Sequence, residues 1–430
     1  MSKLALFGGQ KVIHRPFPRW PVWDEREERN LLEVLHSGKW WLYAYGGSPR
    51  PDGKASADVG QVEQFEGEFA RAHFVKHCYG VTSGTCALEL ALKACDLGPG
   101  DEVITTGYTF IATSSAILSV CALPVYVDID PDTYNIDPRR IEEAVTEKTR
   151  AIMVVHLGGE ICDMEAILAI ARRHDLRVIE DAAQAAGSTL RGDRAAGSMG
   201  DAGCFSFQAS KVMTAGEGGA CTTQDDQIAE RIWSYRNCGR SKTGLWYEHH
   251  RIGHNHRMTE FHGALLRAQL TRLADQCRTR NSNYMLLREK MKGIPGIVQR
   301  RLRPDGLQRC TSVVILRYTG EGWDGPHRNT VLKALQAEGL PCGYGYGWPN
   351  YKNPAFIRMQ ETTGHRAFAF GVDKFPDWSA YAQRCPASER ACDHEAIFLM
   401  HEVFLGDRAD MQMIADAFGK VYEYRHELVR

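Results

Sequence analysis

The feature that most restricts the fold of this chain is a regular alternation of two patterns between about residues 60 and 225. Short apolar runs of strand length alternate there with segments whose apolar residues recur at helical spacing. This kind of alternation predicts an α/β fold with a mostly parallel central sheet and helices on both faces. The predicted strands are Glu102–Thr105, Pro124–Asp130, Ala151–Leu157, Arg177–Asp181, Gly203–Phe207 and Gly219–Thr223, and the predicted helices include Cys86–Cys95, Ile141–Thr146 and Met164–His174.

The second half of the chain has a different pattern. A chain of 430 residues exceeds one ordinary core, so two domains are expected. A long helix is predicted to begin near Met258, and beyond about residue 275 helical pieces mix with an edge-type strand, Ser312–Tyr318, and an aromatic-rich loop, Tyr344–Tyr351. We predict a large domain of residues 30–275 and a smaller α+β domain of residues 1–29 and 276–430.

Charge and composition exclude several classes of partner. The 52 basic and 53 acidic residues give a net charge of −1, so no overall field attracts nucleic acid or an anionic membrane. No apolar run is long enough to span a bilayer, and the apolar stretch at the N-terminus is too short for a secretory signal. We therefore expect a soluble, cytoplasmic protein without a nucleic-acid or membrane partner.

The cysteines and histidines do not form a metal-binding pattern in the sequence. The thirteen cysteines include no Cys-x-x-Cys pair, which is typical of reduced thiols in a cytoplasmic protein. His249, His250, His254 and His256 are close together but fit no standard zinc spacing. The sequence therefore predicts no metal.

Lys211 and Asp181 stand where a cofactor with two reactive ends would need them. Lys211 follows a predicted strand and precedes the glycine-rich run Gly216–Gly219, and Asp181 ends an earlier strand. Pyridoxal phosphate needs a lysine for a Schiff base and a carboxylate opposite its ring nitrogen. Asp181 is preferred to Glu180 because adjacent strand residues face opposite sides. The alternatives are a helix N-cap for Asp181 and a solvated surface position for Lys211.

The run Thr82–Thr85 immediately precedes the predicted helix Cys86–Cys95. A helix N-terminus presents unpaired N–H groups and the positive end of the helix dipole, which suits a phosphate. Gly84 would let a ligand approach the backbone, and the Ser206 hydroxyl would add a donor. The alternative is an ordinary N-cap. Phe110 is a candidate to stack on the cofactor ring, although a lone aromatic is more often part of a core.

Seven ordered segments of the chain resemble the DegT/DnrJ/EryC1/StrS family of pyridoxal phosphate (PLP)-dependent sugar and cyclitol aminotransferases of fold type I. The likeness runs from about residue 30 to 275 and continues more weakly through Arg384–Pro386. The segments are Thr82–Thr85 with the following helix, Thr109–Thr113, Pro124–Asp130, Val155–Gly158, Glu180–Ala185, Ser206–Lys211 with Gly216–Gly219, and Gly253–Met258.

The resemblance implies a role for each matching residue. Lys211 would attach the cofactor and carry a proton, whereas a branch of the family that eliminates water has histidine at this position. A homodimer with shared active sites is also implied. The cofactor contacts implied are Asp181 with the ring nitrogen, Gln184 with the phenolic oxygen, Phe110 with the ring face, Gly84, Thr85 and Ser206 with the phosphate, and Asn255 with the phosphate of the partner subunit.

The substrate is predicted from a narrower resemblance. Phe17–Pro21, Ser37–Trp41 and Gln208–Lys211 are similar to L-glutamine:scyllo-inosose aminotransferases and to 3-amino-5-hydroxybenzoate synthases. We expect ping-pong transfer of an amino group from glutamine or glutamate to a keto-cyclitol or keto-sugar, in aminoglycoside or other secondary-metabolite biosynthesis. The alternatives are a synthase-like dehydration and a cofactor-binding regulator, which the near-neutral charge disfavours.

Three further residues are predicted to contact the substrate, and one segment affects the shape of the pocket. His156 ends a predicted strand, Tyr108 precedes Phe110, and Tyr344 lies in the aromatic loop. The alternatives are that His156 is a buried core histidine and that the aromatic residues pack between the domains. Residues 44–58 resemble an insertion, since this stretch is longer than the matching part of the family.

Overall fold

A seven-stranded sheet forms the centre of the computed structural model, which describes residues 3–42, 59–243, 245, 247–361 and 365–429. The strand order is β1-β9-β8-β5-β4-β2-β3, and the pairs from β8 through β5, β4 and β2 to β3 are parallel. β9 pairs antiparallel with β8 and β1. The strands of the described chain are β1 (His77–Val81), β2 (Glu102–Thr106), β3 (Leu123–Val127), β4 (Thr149–Val155), β5 (Arg177–Asp181), β6 (Thr189–Leu190), β7 (Arg194–Ala195), β8 (Ala202–Ser206), β9 (Gly219–Thr223), β10 (Ile297–Gln299), β11 (Gly306–Gln308), β12 (Val313–Tyr318), β13 (Cys342–Gly343) and β14 (Ala396–Met400).

Helices surround this sheet and connect its strands. The α-helices are α1 (Glu25–Ser37), α2 (Gln61–Ala72), α3 (Gly84–Ala94), α4 (Ala112–Ser119), α5 (Pro138–Ile141), α6 (Met164–Arg173), α7 (Asp226–Arg236), α8 (Glu260–Lys290), α9 (Arg328–Ala337), α10 (Pro354–Gln360), α11 (His365–Phe368), α12 (Tyr381–Arg384), α13 (Pro386–Arg390) and α14 (Arg408–Glu423). Short 3-10 helices span Ala5–Phe7, Glu142–Ala144, Leu157–Gly159, Asn350–Lys352, Trp378–Ala380, His401–Leu405 and Arg425–Val429, and a π-helical turn spans Ala391–Glu395.

The two faces of the central sheet bury separate cores, because side chains alternate along a strand. In β4, Met153 packs with α3, α4 and α7, whereas Ile152 and Val154 pack with α2, α6 and α8. The same alternation separates Ile179 from Val178 in β5. The sheet is therefore mostly parallel and covered on both faces, as the sequence pattern predicts.

The chain beyond α8 forms a second, antiparallel sheet of order β10-β12-β14-β13. The predicted edge-type strand Ser312–Tyr318 corresponds to β12, which pairs on both sides and is not an edge. Its partner β14 lies much later in the chain, so the local pattern did not reveal it. Leu4 and Ile13 belong to the core beneath this sheet. The exact division into domains stays a prediction, since α8 runs continuously across the predicted boundary.

Two other sequence predictions concern the membrane and the inserted loop. None of the helices in the described ranges combines the length and the apolar character needed to cross a bilayer. The predicted insertion, residues 44–58, lies outside the described residues.

Candidate active site

A cleft of about 900 Å³ lies at the carboxyl ends of the parallel strands, where α/β sheets ordinarily bind ligands. One wall comes from the ends of β4, β5 and β8 and from the first turn of α3. The opposite wall comes from the second sheet, with Val313 of β12 and Phe398 and Met400 of β14. Seven of the predicted cofactor residues line this cleft: Gly84, Thr85, Phe110, Asp181, Gln184, Ser206 and Lys211.

Asp181 is the last residue of β5, and its carboxylate is held in a fixed orientation. Oδ2 accepts a hydrogen bond from the Thr113 hydroxyl at 2.8 Å, and Oδ1 accepts one from the Ala183 N–H at 3.2 Å. Burial raises the pKa of the Asp181 carboxyl, and these two hydrogen bonds and the positive charge of Lys211 oppose that rise. The carboxylate is thus a fixed, buried anion at the edge of the cleft.

Glu180 faces the other side of the sheet and has a structural task. Its carboxylate accepts hydrogen bonds from His156 Nε2 at 2.8 Å and from the N–H groups of Gly197, Met199 and Gly200 at 2.8, 2.7 and 2.6 Å. The side chain is fully buried. The structure therefore brings Asp181, and not Glu180, to the cleft.

Lys211 lies in the loop that follows β8, and its burial makes the amine easier to deprotonate. Burial lowers the pKa of the Lys211 amine, and the nearby Asp181 carboxylate opposes this effect. Among the described residues, none accepts a hydrogen bond from the amine. A lysine amine must be deprotonated to act as a nucleophile, so this position suits covalent attachment of a carbonyl compound.

Two distant side chains hold the backbone immediately before Lys211. Trp20 Nε1 donates to the Ala209 carbonyl at 2.9 Å. The His401 ring is hydrogen-bonded through Nε2 to the Ser210 carbonyl at 3.1 Å, and it contacts the Trp20 ring edge-on. These contacts come from opposite ends of the chain, so spacing in the sequence did not indicate them.

The first turn of α3 and the end of β8 form a close-fitting corner of the cleft. Ser83 caps α3, its hydroxyl accepting from the Cys86 N–H at 3.1 Å. A Cβ added at Gly84 would lie 2.7 Å from Cβ of Ser206, so only glycine fits there. The N–H groups of a first helical turn have no partner within the helix. This corner is therefore suited to a phosphate.

Gln184 and two aromatic residues form the middle of the cleft. Gln184 Oε1 accepts from the Gly158 N–H at 2.8 Å, and its Nε2 donates to the Tyr346 hydroxyl at 3.0 Å. Phe110 lines the cleft with 59% of its surface exposed, as expected for a ring that awaits a partner more than for a core residue. The sequence places Tyr346 in the aromatic-rich loop but does not single it out as a residue of the cleft.

None of the three predicted substrate contacts, His156, Tyr108 and Tyr344, belongs to the lining of the cleft, and their contact with a substrate stays a prediction. His156 is fully buried, with Nδ1 accepting from the Cys162 N–H at 3.1 Å while Nε2 contacts Glu180. Tyr108 is also fully buried and packs edge-on against the Tyr346 ring. Tyr344 is half exposed and lies below the Arg328 guanidinium, 5.6 Å from the ring centre.

Asn255 is exposed and lies outside the cleft of its own chain. Its backbone forms an isolated bridge with Asn237, just after α7. This position is compatible with a contact to another subunit, and the contact itself stays a prediction.

The residues of the cleft fit PLP at each of its functional ends. The Lys211 amine and the Asp181 carboxylate lie in one cleft, and at its Gly84–Ser206 corner a Cβ added at position 84 would lie 2.7 Å from Cβ of Ser206. Gln184 lies between these ends with a donor group directed to the cleft side. The cleft thus combines an amine for covalent attachment, a carboxylate for the ring nitrogen and a corner suited to a phosphate.

The sequence model of the DegT/DnrJ/EryC1/StrS aminotransferase family matches residues 53–369. The chain belongs to this family. The predicted family, the fold type I architecture and the enzyme class, a PLP-dependent aminotransferase, are thereby confirmed.

Relatives match this aminotransferase over nearly its whole length. A protein of Streptoalloteichus tenebrarius, provisionally named L-glutamine:3-amino-2,3-dideoxy-scyllo-inosose aminotransferase, is 39% identical and covers 98% of both chains. The L-glutamine:2-deoxy-scyllo-inosose aminotransferase of Streptomyces lividus is 36% identical and covers 99% of both chains. The crystal structure of 3-amino-5-hydroxybenzoic acid synthase superposes with a TM-score of 0.80 at 33% identity, over 94% of this chain and 99% of that one.

Proposed function

We propose that this aminotransferase uses PLP, attached at Lys211, to move an amino group from glutamine or glutamate to a keto-cyclitol. The observation that carries the proposal is the single cleft that holds the Lys211 amine, the Asp181 carboxylate and the Gly84–Ser206 corner. The choice of acceptor is supported by relatives named for glutamine and inosose substrates that match the chain from end to end.

The side chains of the cleft have distinct tasks in this reaction. When bound, PLP stores the amino group between two half-reactions and delocalises the electron pair released at the substrate carbon. Asp181 would hold the proton on the ring nitrogen, because its carboxylate is fixed by Thr113 and Ala183 and cannot turn away. Lys211, once released from the cofactor, would carry the proton to and from the substrate carbon, since burial lowers the pKa of its amine.

The walls of the cleft favour a compact ring as the acceptor. Val313, Phe398 and Met400 present an apolar surface opposite Asp181, and Tyr346 adds an aromatic edge with a hydroxyl. A free cyclitol presents apolar C–H faces and peripheral hydroxyls, which match an apolar wall with a few polar groups. A keto-sugar of similar size is the second acceptor class compatible with these walls.

We also propose that the active enzyme is a cytoplasmic homodimer. Asn255 is exposed and does not line its own cleft, and the carbonyl of the next residue, His256, accepts from the Thr82 N–H just before α3. This position supports a contact with the cofactor phosphate of the partner. All thirteen cysteines are unpaired, which is typical of a reducing compartment. We propose neither nucleic acid nor a membrane as a partner, in line with the near-neutral net charge.

A half-reaction screen tests the proposed function. The protein is loaded with pyridoxamine phosphate, ketones are added singly, and the absorption of the Lys211-bound cofactor is followed. We expect 2-deoxy-scyllo-inosose and related keto-cyclitols to restore this absorption faster than nucleotide-linked keto-sugars. Failure of every cyclic ketone would contradict the proposal, and release of an aromatic product with loss of water from a cyclic amino-ketone would instead support the synthase-like dehydration.

The Lys211→Ala variant is the control for this screen. It retains the phosphate corner and Asp181 but has no amine at position 211. Without an amine, no ketone should restore the absorption that the wild-type protein shows. A reducible covalent bond between cofactor and variant would show that another lysine serves as the attachment point.

A further inference from the structure

Cys86, Glu89 and His256 converge beside the first turns of α3, outside the cleft described above. One ligand atom from each side chain lies within 4.8 Å of the other two, and all three residues are partly exposed. They combine a thiol, a carboxylate and an imidazole. This cluster takes no part in the aminotransferase reaction as derived above.

Two members of the cluster are positioned by α3 itself. Cys86 and Glu89 are three residues apart in this helix and so share one of its faces. The Cys86 N–H is bonded to the capping hydroxyl of Ser83, and its thiol accepts from the Thr82 hydroxyl at 3.3 Å. Both side chains therefore start from a backbone whose position is already fixed.

His256 is fixed by backbone hydrogen bonds on both of its sides. Its N–H donates to the Arg236 carbonyl at 3.0 Å, and its own carbonyl accepts from the Thr82 N–H at 3.1 Å. The next residue, Arg257, forms a bridge with Val81 at the end of β1. Since the three ligands sit on preformed backbone, binding an ion requires side-chain rotation and no refolding.

We propose that Cys86, Glu89 and His256 form a binding site for a divalent ion of the zinc class. Thiolate with imidazole selects zinc and its neighbours over calcium and magnesium, which require oxygen ligands. A tetrahedral zinc with bonds of about 2.0–2.3 Å sets its ligand atoms roughly 3.3–3.8 Å apart. The spacing of at most 4.8 Å reaches that range with small rotations. Three protein ligands leave the fourth position open for water or a small ligand.

The sequence alone predicts no metal, and the reason lies in the topology. In the sequence, His256 stands near His249, His250 and His254, and the spacing of these four histidines matches no zinc motif. Its partners come instead from α3, far earlier in the chain, and meet it because the 254–257 segment pairs with the end of β1. A spacing rule applied within one segment cannot find such a site.

The site joins two segments that the proposed function uses. Cys86 lies two residues after Gly84 in the phosphate corner, and His256 follows Asn255, the residue proposed to reach the partner subunit. An ion held by both would restrain the first turn of α3 against the Asn255 segment. The binding proposal itself does not depend on the proposed function, because the three ligands are outside the cleft.

Cobalt titration of the full-length protein, treated with chelator and kept reduced, tests this site. We expect one Co²⁺ per chain, with a thiolate-to-cobalt charge-transfer band and the visible bands of tetrahedral cobalt. Zn²⁺ should abolish both by displacement, because it binds more tightly than Co²⁺ to such ligands. Cys86→Ser should remove the charge-transfer band, and His256→Gln and Glu89→Gln should each weaken Co²⁺ binding by about tenfold or more.

Matched variants separate this site from other thiols and histidines. Cys121→Ser removes another partly exposed thiol, and His254→Gln removes the exposed histidine whose ring lies 5.5 Å from that of His256. Both should bind Co²⁺ like the wild-type protein. The proposal is overturned if wild-type protein gives no charge-transfer band, if Cys86→Ser retains it, or if His254→Gln weakens binding as much as His256→Gln. Circular dichroism of each variant checks that it is folded.

Discussion

Glu180 and Asp181 are adjacent acids that end the same strand, yet their surroundings differ in kind. Glu180 accepts three backbone N–H bonds and one from His156, whereas Asp181 has two partners and an open side toward the cleft. An anion whose hydrogen-bonding capacity is saturated contributes to stability. One that retains free capacity at a cleft is available to a ligand.

Replacement of Asp181 by asparagine should affect turnover and spare the fold. The amide can keep the contacts with Thr113 and the Ala183 N–H, but it carries no charge to hold a proton on the ring nitrogen. We expect kcat to fall roughly 100-fold, as for the loss of one preorganised electrostatic partner. Steady-state kinetics with the identified ketone measures this effect, and an unchanged kcat would assign the ring nitrogen to another group.

Replacement of Glu180 by glutamine should instead lower the stability of the fold and leave turnover almost unchanged. The amide NH₂ would face N–H groups of the 197–200 turn that now donate to a carboxylate. A buried donor left without an acceptor costs about 1–3 kcal/mol. Denaturant unfolding should show that loss of stability, while kcat per folded molecule stays within about twofold of wild type. A large fall in kcat with unchanged stability would refute this assignment.

Position 84 provides a steric test of the phosphate corner. Gly84→Ala places a methyl group 2.7 Å from Cβ of Ser206, and such overpacking costs about 1–3 kcal/mol. PLP affinity should therefore fall roughly tenfold or more, as measured by fluorescence titration of the apoprotein. Gly98→Ala is the matched control, since a Cβ there meets no atom within 4 Å. Equal affinities of the two variants would place the phosphate elsewhere.

At the scale of elements, the loop before Lys211 depends on side chains from outside the central sheet. Trp20 and His401 each hold one of its carbonyls. Behind Trp20, the guanidinium of Arg280 is fully buried, has no hydrogen-bond partner among the described residues, and lies 5.1 Å from the indole ring. The indole therefore has two functions, a bond to the loop and an electron-rich face for a buried cation.

Trp20→Phe separates these two functions. The phenyl ring retains a face for Arg280 but cannot donate to the Ala209 carbonyl. A hydrogen bond contributes about 0.5–1.5 kcal/mol net, so we expect a roughly two- to tenfold decrease in kcat with little change in KM. Trp323→Phe is the control. The Trp323 indole also donates to a backbone carbonyl, that of Pro295 at 2.7 Å, but it lies in the core beneath the second sheet. It should lower stability without lowering kcat.

The sequence predicted elements well where the pattern was local and poorly where pairing was distant. β5 and β9 have the predicted bounds, and α6 differs by one residue. β1 was not predicted, since His77–Val81 is short and owes its strand character to antiparallel pairing with β9. β12 was predicted as an edge because its partner β14 could not be inferred from nearby residues.

The same limit applies to the residues of the site. Lys211, Asp181 and Gly84 follow strands or precede a helix, so local pattern and family resemblance sufficed to place them at the cleft. Tyr346 reaches Gln184 only because the second sheet carries its loop over the first. The sequence does not show which tyrosine of this loop turns inward, so it could not distinguish Tyr346 from Tyr344, two residues earlier.

At the scale of the whole molecule, a buried histidine outside the cleft makes the stability of the fold depend on pH. His73 at the end of α2 is stacked on Phe69 and bonded to its carbonyl through Nδ1, while Nε2 accepts from the Gly187 N–H. Burial lowers the pKa of His73 from 6.5 to about 4. The neutral ring is thus the form that the fold accommodates.

The lowered pKa of His73 predicts how the free energy of unfolding depends on pH. Between pH 6.5 and about 4 the unfolded chain binds the proton and the folded protein does not, so the free energy of unfolding falls as pH is lowered through this range. The loss from His73 alone is roughly 3 kcal/mol. Urea unfolding at several pH values should show a shallower decline for His73→Gln than for wild type or for His36→Gln, which alters an exposed histidine. Parallel declines would contradict this account.

The bond from Trp20 to the Ala209 carbonyl has a practical consequence. Preparations of an enzyme are often shortened at the amino terminus to obtain a more homogeneous sample. Here such trimming would leave every residue that lines the cleft in place, yet it would release one of the two braces on the reactive lysine. A shortened preparation that binds its coenzyme normally but turns over slowly would therefore report on the missing segment and not on the chemistry of the intact protein.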